Sequence, residues 1–143
     1  SFHADRPLKV LVAEDNELNA EILLEILGEE GFEVVHAENG RRAVDLFEAS
    51  EPGEFDVILM DMQMPVLDGC GAAQTIRSLQ RPDARSVIIF ACTANTFQED
   101  RDRARASGMD DFLAKPVEIQ TMLGKLRAVS ELRGHAGDSD SDA

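Results

Sequence analysis

Residues 57–69 read VILMDMQMPVLDG. Four apolar residues, Val57 to Met60, run without alternation into a carboxylate, Asp61, and Pro65 and the pair Asp68-Gly69 follow closely. An unbroken apolar run of this length reads as a strand buried on both faces, the habit of parallel sheets, and the proline and Asp-Gly read as a turn. An acid at the end of such a strand has to be paired, hydrated or bound to a metal. What it meets depends on what lies at the ends of the other strands.

The rest of the chain supplies those strands. Leu8–Ala13, Phe32–Ala37, Phe55–Met60, Ser86–Cys92 and Asp111–Ala114 read as β, and the spacing predicts helices over Asn16–Glu30, Gly40–Ser50, Gly69–Gln80, Phe97–Ser107 and Val117–Arg133. Five strands alternating with five helices predict an α/β fold, a parallel sheet with helices on both faces. In such sheets ligands bind beyond the carboxyl ends of the strands. Strand one ends in Glu14-Asp15, strand three in Asp61, strand four in Thr93 and strand five in Lys115-Pro116. Each has an ordinary structural reading: Asp15 as a helix cap, Glu14 as a first-turn acid, Thr93 as a satisfied strand hydroxyl, Lys115 as a solvated loop lysine. Coincidence at four strand ends together is the weaker explanation.

Three acids, a hydroxyl and a cation on one sheet edge point to a particular chemistry. Clustered carboxylates repel one another and favour a hard divalent cation; Mg²⁺ takes a few carboxylates together with water and phosphate oxygens. A carboxylate beside such an ion can accept a phosphoryl group, and a lysine and a hydroxyl can hold the phosphoryl oxygens.

Composition narrows the partners. The chain has 143 residues, is 43% hydrophobic and carries a formal net charge of -14. Asp138, Asp140 and Asp142 account for only three of the 28 acids, so the body of the chain is acidic as well. Nucleic acid is not an expected partner, because phosphate contacts need clustered Lys and Arg. No apolar run approaches ~18 residues, so no direct membrane contact is expected. Cys70 and Cys92 lack metal-ligand spacing and read as reduced thiols of a cytoplasmic protein. Residues 1–7 read as an N-terminal extension or cloning remnant, 8–133 as the domain and 134–143 as a disordered acidic tail. The start at Ser1 without a methionine reads as a fragment of a longer chain.

The segments VLVAEDNELN, DVILMDMQMPVLDG, ACTAN and FLAKP together resemble the receiver domain of two-component response regulators, over roughly Leu8 to Val129. The resemblance implies a flavodoxin-like, doubly wound (βα)5 fold with a five-stranded parallel sheet in the order 2-1-3-4-5. It implies Asp61 as phosphoacceptor and Mg²⁺, or Mn²⁺ in its place, held by Glu14, Asp15, Asp61 and the main-chain carbonyl of Gln63. It further implies Thr93 as switch hydroxyl, Lys115 as partner of the phosphoryl group, Phe112 as switch aromatic and a cis peptide before Pro116. Side chains at the positions of Gln63 and Asn95 flank the path of the hydrolytic water in this family. Both are neutral amides, which orient water without acting as strong bases, so slow self-dephosphorylation is expected. Phe112 reads equally well as a plain core phenylalanine.

MDMQMPVLDG and TANTFQEDRDRARASGMDDFLAKP look most like the C-terminal receivers of hybrid histidine kinases. The implied function is transfer of a phosphoryl group from phosphohistidine to Asp61, followed by a conformational switch. The implied partner is a histidine kinase dimerisation domain or a histidine phosphotransfer protein. Such a domain catalyses its own phosphorylation and dephosphorylation without turning over a separate substrate. The alternatives are a single-domain regulator or phosphorelay shuttle and, further off, a pseudo-receiver that binds without being phosphorylated. A flavin- or nucleotide-binding enzyme would need a glycine-rich loop after strand one, where EDNELN stands; a phosphoester hydrolase would need an acid where Gln63 stands. The first helix carries more apolar residues than one buried stripe needs. Either this helix is wedged between the sheet and the last helix, or part of the surplus meets a helical partner, in which case Asn16, Asn19, Ala20, Pro116 and Val117 line the contact.

Overall fold

The computed structural model describes residues 6–95 and 97–142. Five parallel strands, β1 (Lys9–Ala13), β2 (Glu33–Ala37), β3 (Val57–Asp61), β4 (Ile88–Thr93) and β5 (Asp111–Ala114), form one sheet in the order β2-β1-β3-β4-β5. The helices between and after them are α1 (Glu17–Glu29), α2 (Gly40–Ala49), α3 (Gly69–Arg77), α4 (Gln98–Ala106) and α5 (Ile119–Asp142). This is the doubly wound order expected from the sequence.

The two faces of the sheet hold separate cores. Leu11, Ile58, Met60, Ile89 and Ala91 pack against Val44 and Phe47 of α2, Ala73 and Ile76 of α3 and Ala104 of α4. Val10, Val12, Val57, Leu59 and Phe90 pack against Leu27 of α1 and Met122, Leu123 and Leu126 of α5. Successive residues of one strand feed opposite cores, which is why β3 is apolar without alternation and all five of its residues are buried. Among the described residues no helix is long and apolar enough to cross a membrane.

Three helices start at the strand ends with a side-chain cap. Asn16 Oδ1 accepts from Asn19 N at 3.0 Å, Asn39 Oδ1 from Arg42 N at 2.7 Å and Asp68 Oδ1 from Gly71 N at 2.8 Å. Gly69 is required by a close approach. A Cβ there would lie 2.2 Å from the carbonyl oxygen of Asp61, so only glycine lets α3 begin against the end of β3.

Some boundaries differ from the sequence reading. β3 starts at Val57 and includes Asp61, because pairing with β4 continues to Asp61↔Cys92. α3 ends at Arg77, and Pro82–Ala84 forms a separate 3₁₀ turn that Pro82 opens. α5 continues to Asp142, through most of the stretch expected to be a disordered tail. No proline follows Pro116, so nothing there blocks the helical hydrogen bonds. Of the extension expected over residues 1–7, the first five residues lie outside those described, as does Ala143 of the tail.

Candidate functional site

The carboxyl ends of β1, β3, β4 and β5 meet at one edge. Asp61 is 3% exposed and Glu14 5%, whereas Asp15 is exposed. A carboxylate oxygen from each of these three acids lies within 4.8 Å of the others. Lys115 Nζ is 2.7 Å from Asp61 Oδ1 and 3.9 Å from Glu14 Oε2. Backbone bonds hold the frame: Glu14 N donates to Ala37 O at 3.0 Å, and Lys115 N donates to Thr93 O at 2.8 Å. The Lys115–Pro116 peptide is cis, as the resemblance implied. Asp61 Oδ1 also accepts from Gln63 N at 3.1 Å, which ties the next loop to the acid.

The electrostatics are unbalanced. Burial first, and the Asp61 carboxyl second, push Glu14 from its ordinary 4.5 up to about 7. Burial opposes the charge on Lys115, but the hydrogen bond and charge of Asp61, with the charge of Glu14, outweigh it and raise the ammonium above its ordinary value. One lysine thus faces two buried acids, and Glu14 Oε2 is buried without a hydrogen-bond partner. A buried carboxylate oxygen left unpaired beside two further acids fits a divalent cation, which would satisfy it. The residues present therefore fit Mg²⁺ chemistry, with Glu14, Asp15 and Asp61 as donors.

Other expected site residues are also near. Thr93 is 7% exposed, and its hydroxyl is turned into its own loop, donating to Asn95 O at 2.8 Å and accepting from Asn95 N at 3.1 Å. Gln63 and Asn95 have exposed side chains at the rim. Phe112 is half-buried against the core that α4 covers. The thiol of Cys92, next to Asp61 in the sheet, is pushed up to about 12 by burial, so it stays protonated.

Nothing in the sequence marks Arg103 as a residue near the site. It reaches from α4 to an open groove of about 450 Å³ beside Asp15, which Gln63, Met64 and Cys70 also line. α4 carries three arginines at alternate positions, and nothing in their spacing marks one as facing the site. Val66, in the loop after β3, has φ of 70°, a left-handed conformation that β-branched residues avoid. A second groove, about 220 Å³ and largely apolar, lies between α1 and the segment after β5, lined by Asn19, Ile22, Leu23, Lys115, Pro116 and Val117. Ala20 is 2% exposed and turns inward, so the expected contact surface is corrected there. The exposed large apolar residues of α1 are Leu18, 65% exposed, and Ile22, 46%.

Comparison with known proteins agrees with this geometry. The profile of the family described as "Response regulator receiver domain" matches residues 10–127. Hybrid signal transduction histidine kinase H of Dictyostelium discoideum is 41% identical over 124 residues, covering 85% of this chain and 9% of the relative. Hybrid signal transduction histidine kinase I of the same organism is 37% identical over 113 residues, 78% of this chain and 6% of the relative. The chain therefore spans under a tenth of the length of these relatives. Among solved structures, the receiver domain of a sensor histidine kinase from Pseudomonas aeruginosa PAO1, with a magnesium ion coordinated in its active-site cleft, is 34% identical. It aligns with a TM-score of 0.78 over 87% of this chain and 98% of that one. A Saccharomyces cerevisiae receiver domain, crystallised with a histidine phosphotransfer signalling protein, is 32% identical with a TM-score of 0.80, over 90% of this chain and 92% of that one.

Proposed function

The chain belongs to the response regulator receiver domain family, and on that premise we propose that Asp61 accepts a phosphoryl group from a phosphohistidine. The observation that carries the reading is the pairing of Asp61 with Lys115 at 2.7 Å beside a buried, unpartnered oxygen of Glu14. An Asp61 carboxylate oxygen attacks phosphorus. A P–O bond forms, the P–N bond to the donor histidine breaks, and the imidazole leaves, its nitrogen taking a proton. Glu14, Asp15, Asp61 and the Gln63 carbonyl would hold Mg²⁺, which supplies charge neutralisation for the incoming phosphate; Mn²⁺ has the same ligand preference for oxygen and would serve as well. Lys115, released from its pairing with the free acid, holds a phosphoryl oxygen instead.

The consequence is a switch. Thr93 exchanges its bonds to Asn95 for one to the phosphoryl group, and Phe112, on the same sheet face, follows. Gln63 and Asn95 set the lifetime by orienting water, and their neutral amides make it long. The donor docks over the strand ends, on the apolar groove beside Ile22 and Pro116. The partner reading is supported by the yeast receiver crystallised with a phosphotransfer protein. Residues 8–133 form the working unit, within a hybrid histidine kinase acting in the cytoplasm. The matches to such kinases support that origin.

The test is intact mass after treatment with a small phosphodonor and Mg²⁺. The parent chain gains one phosphoryl group and Asp61→Ala gains none. Equal labelling of the Ala variant contradicts the assignment of Asp61, and labelling of neither chain contradicts phosphorylation itself and leaves the pseudo-receiver reading.

A further inference from the structure

Phe112 is gripped from outside. The guanidinium carbon of Arg101 lies 5.5 Å from the centre of its ring and that of Arg105 lies 5.3 Å away. Both distances fall within the ~6 Å range in which a cation is drawn to an aromatic face. The two arginines are one turn apart on α4, so they stand on one side of that helix, and both are exposed. The contacts join α4 to β5. Ala91 registers with Phe112, and Thr93 is two residues further along β4, so Thr93 and Phe112 share a face.

In this arrangement the Thr93 hydroxyl is bonded to Asn95, and the Phe112 ring is half-buried beneath the two guanidinium groups. We propose that Arg101 and Arg105 are positioning residues that hold Phe112 in the resting arrangement and so set how hard the switch is to throw. The proposal rests on the receiver reading above and deepens it. α4 then acts as a brake: a ring that leaves the guanidinium groups gives up both cation–π contacts. At exposed sites each such contact is worth about two- to five-fold in an equilibrium, so the pair biases the switch by about 5- to 30-fold. A ligand that prefers the switched arrangement binds more weakly by the same factor while that arrangement is the minor one.

The experiment is a double-mutant cycle on the 143-residue chain, with beryllofluoride and Mg²⁺ as the probe. Its dissociation constant is measured in the parent, in Arg101→Gln/Arg105→Gln, in Phe112→Leu and in the triple variant. The arginine changes are expected to tighten binding by about 5- to 30-fold when Phe112 is present and by less than about twofold in the Phe112→Leu background. The same tightening in both backgrounds means the arginines act by charge at a distance, and it overturns the proposal. So does weaker binding, or a change under about twofold with Phe112 in place. A parent chain that fails to bind the probe refutes the receiver reading and the clamp together. A parent that binds while the cycle closes without coupling refutes the clamp alone.

Discussion

Replacing Glu14 by glutamine should flatten the pH dependence of stability in the metal-free chain. Burial and the neighbouring Asp61 carboxyl raise Glu14 from 4.5 to about 7. Between those values the folded chain keeps a proton that the unfolded chain has lost, so stability falls as pH rises through that window. At ~1.4 kcal/mol per pH unit the whole fall is on the order of 3 kcal/mol. Little of this is screened, since the side chain is 7% exposed. For a chain of this size the fall corresponds to roughly 10 °C in melting temperature. Glutamine carries no charge at any pH and has no such slope. Thermal unfolding by circular dichroism, in chelator from pH 4.5 to 8, reads the difference between parent and Glu14→Gln. That difference removes the contributions of titrating groups away from the site and keeps those of Glu14 and the groups coupled to it, Asp61 and Lys115. Millimolar Mg²⁺ at pH 8 should raise the parent's melting temperature more than the variant's, because the ion takes up the unpaired charge. Parallel pH curves for the two chains without metal would refute the reasoning.

Two further substitutions test the frame. Gly69→Ala drives a methyl group into the backbone of Asp61 at 2.2 Å, where neither side can give way. It should cost about 3 kcal/mol, seen as a lower urea midpoint at unchanged slope, and should weaken Mg²⁺ binding through the displaced acid. At the opposite pole, Asp56 accepts from both terminal nitrogens of Arg6, from Lys9 N and from Arg133 Nη1, all within 2.9–3.0 Å. Asp56→Asn should cost about 2 kcal/mol, discounted because Arg6 is 35% exposed. It should also speed amide exchange in residues 6–9 and 127–133 without changing Mg²⁺ affinity; unchanged exchange would show that the carboxylate does not tie the two segments.

The fold was legible because β3 and β4 are apolar on both faces and α1, α2 and α3 are each introduced by a capping Asn or Asp. The site was legible because its acids, hydroxyl and lysine each close a recognisable strand. Sequence was blind where direction decides. The apolar residues of α1 do not say which face is turned in: the buried Ala20 drops out of the expected docking list, and the exposed Leu18 was not on it. A threonine does not reveal that its hydroxyl is spent on Asn95. The arginines of α4 look like a solvated face until two of them are found over Phe112. The left-handed Val66 has no signal at all, since valine is a poor choice for that conformation. The end of α5 is not marked in the sequence, because glycines and aspartates weaken a helix without ending it.

The central claim is transfer from phosphohistidine to Asp61, and site mapping tests it most directly. The chain is mixed with a phosphorylated histidine phosphotransfer protein and Mg²⁺, the acyl phosphate is trapped by borohydride reduction, and the modified residue is located by tandem mass spectrometry. Reduction at Asp61 alone, abolished by chelator, is the predicted result. Modification at Glu14 or Asp15 in place of Asp61, or transfer that proceeds at the same rate with chelator present, would contradict it.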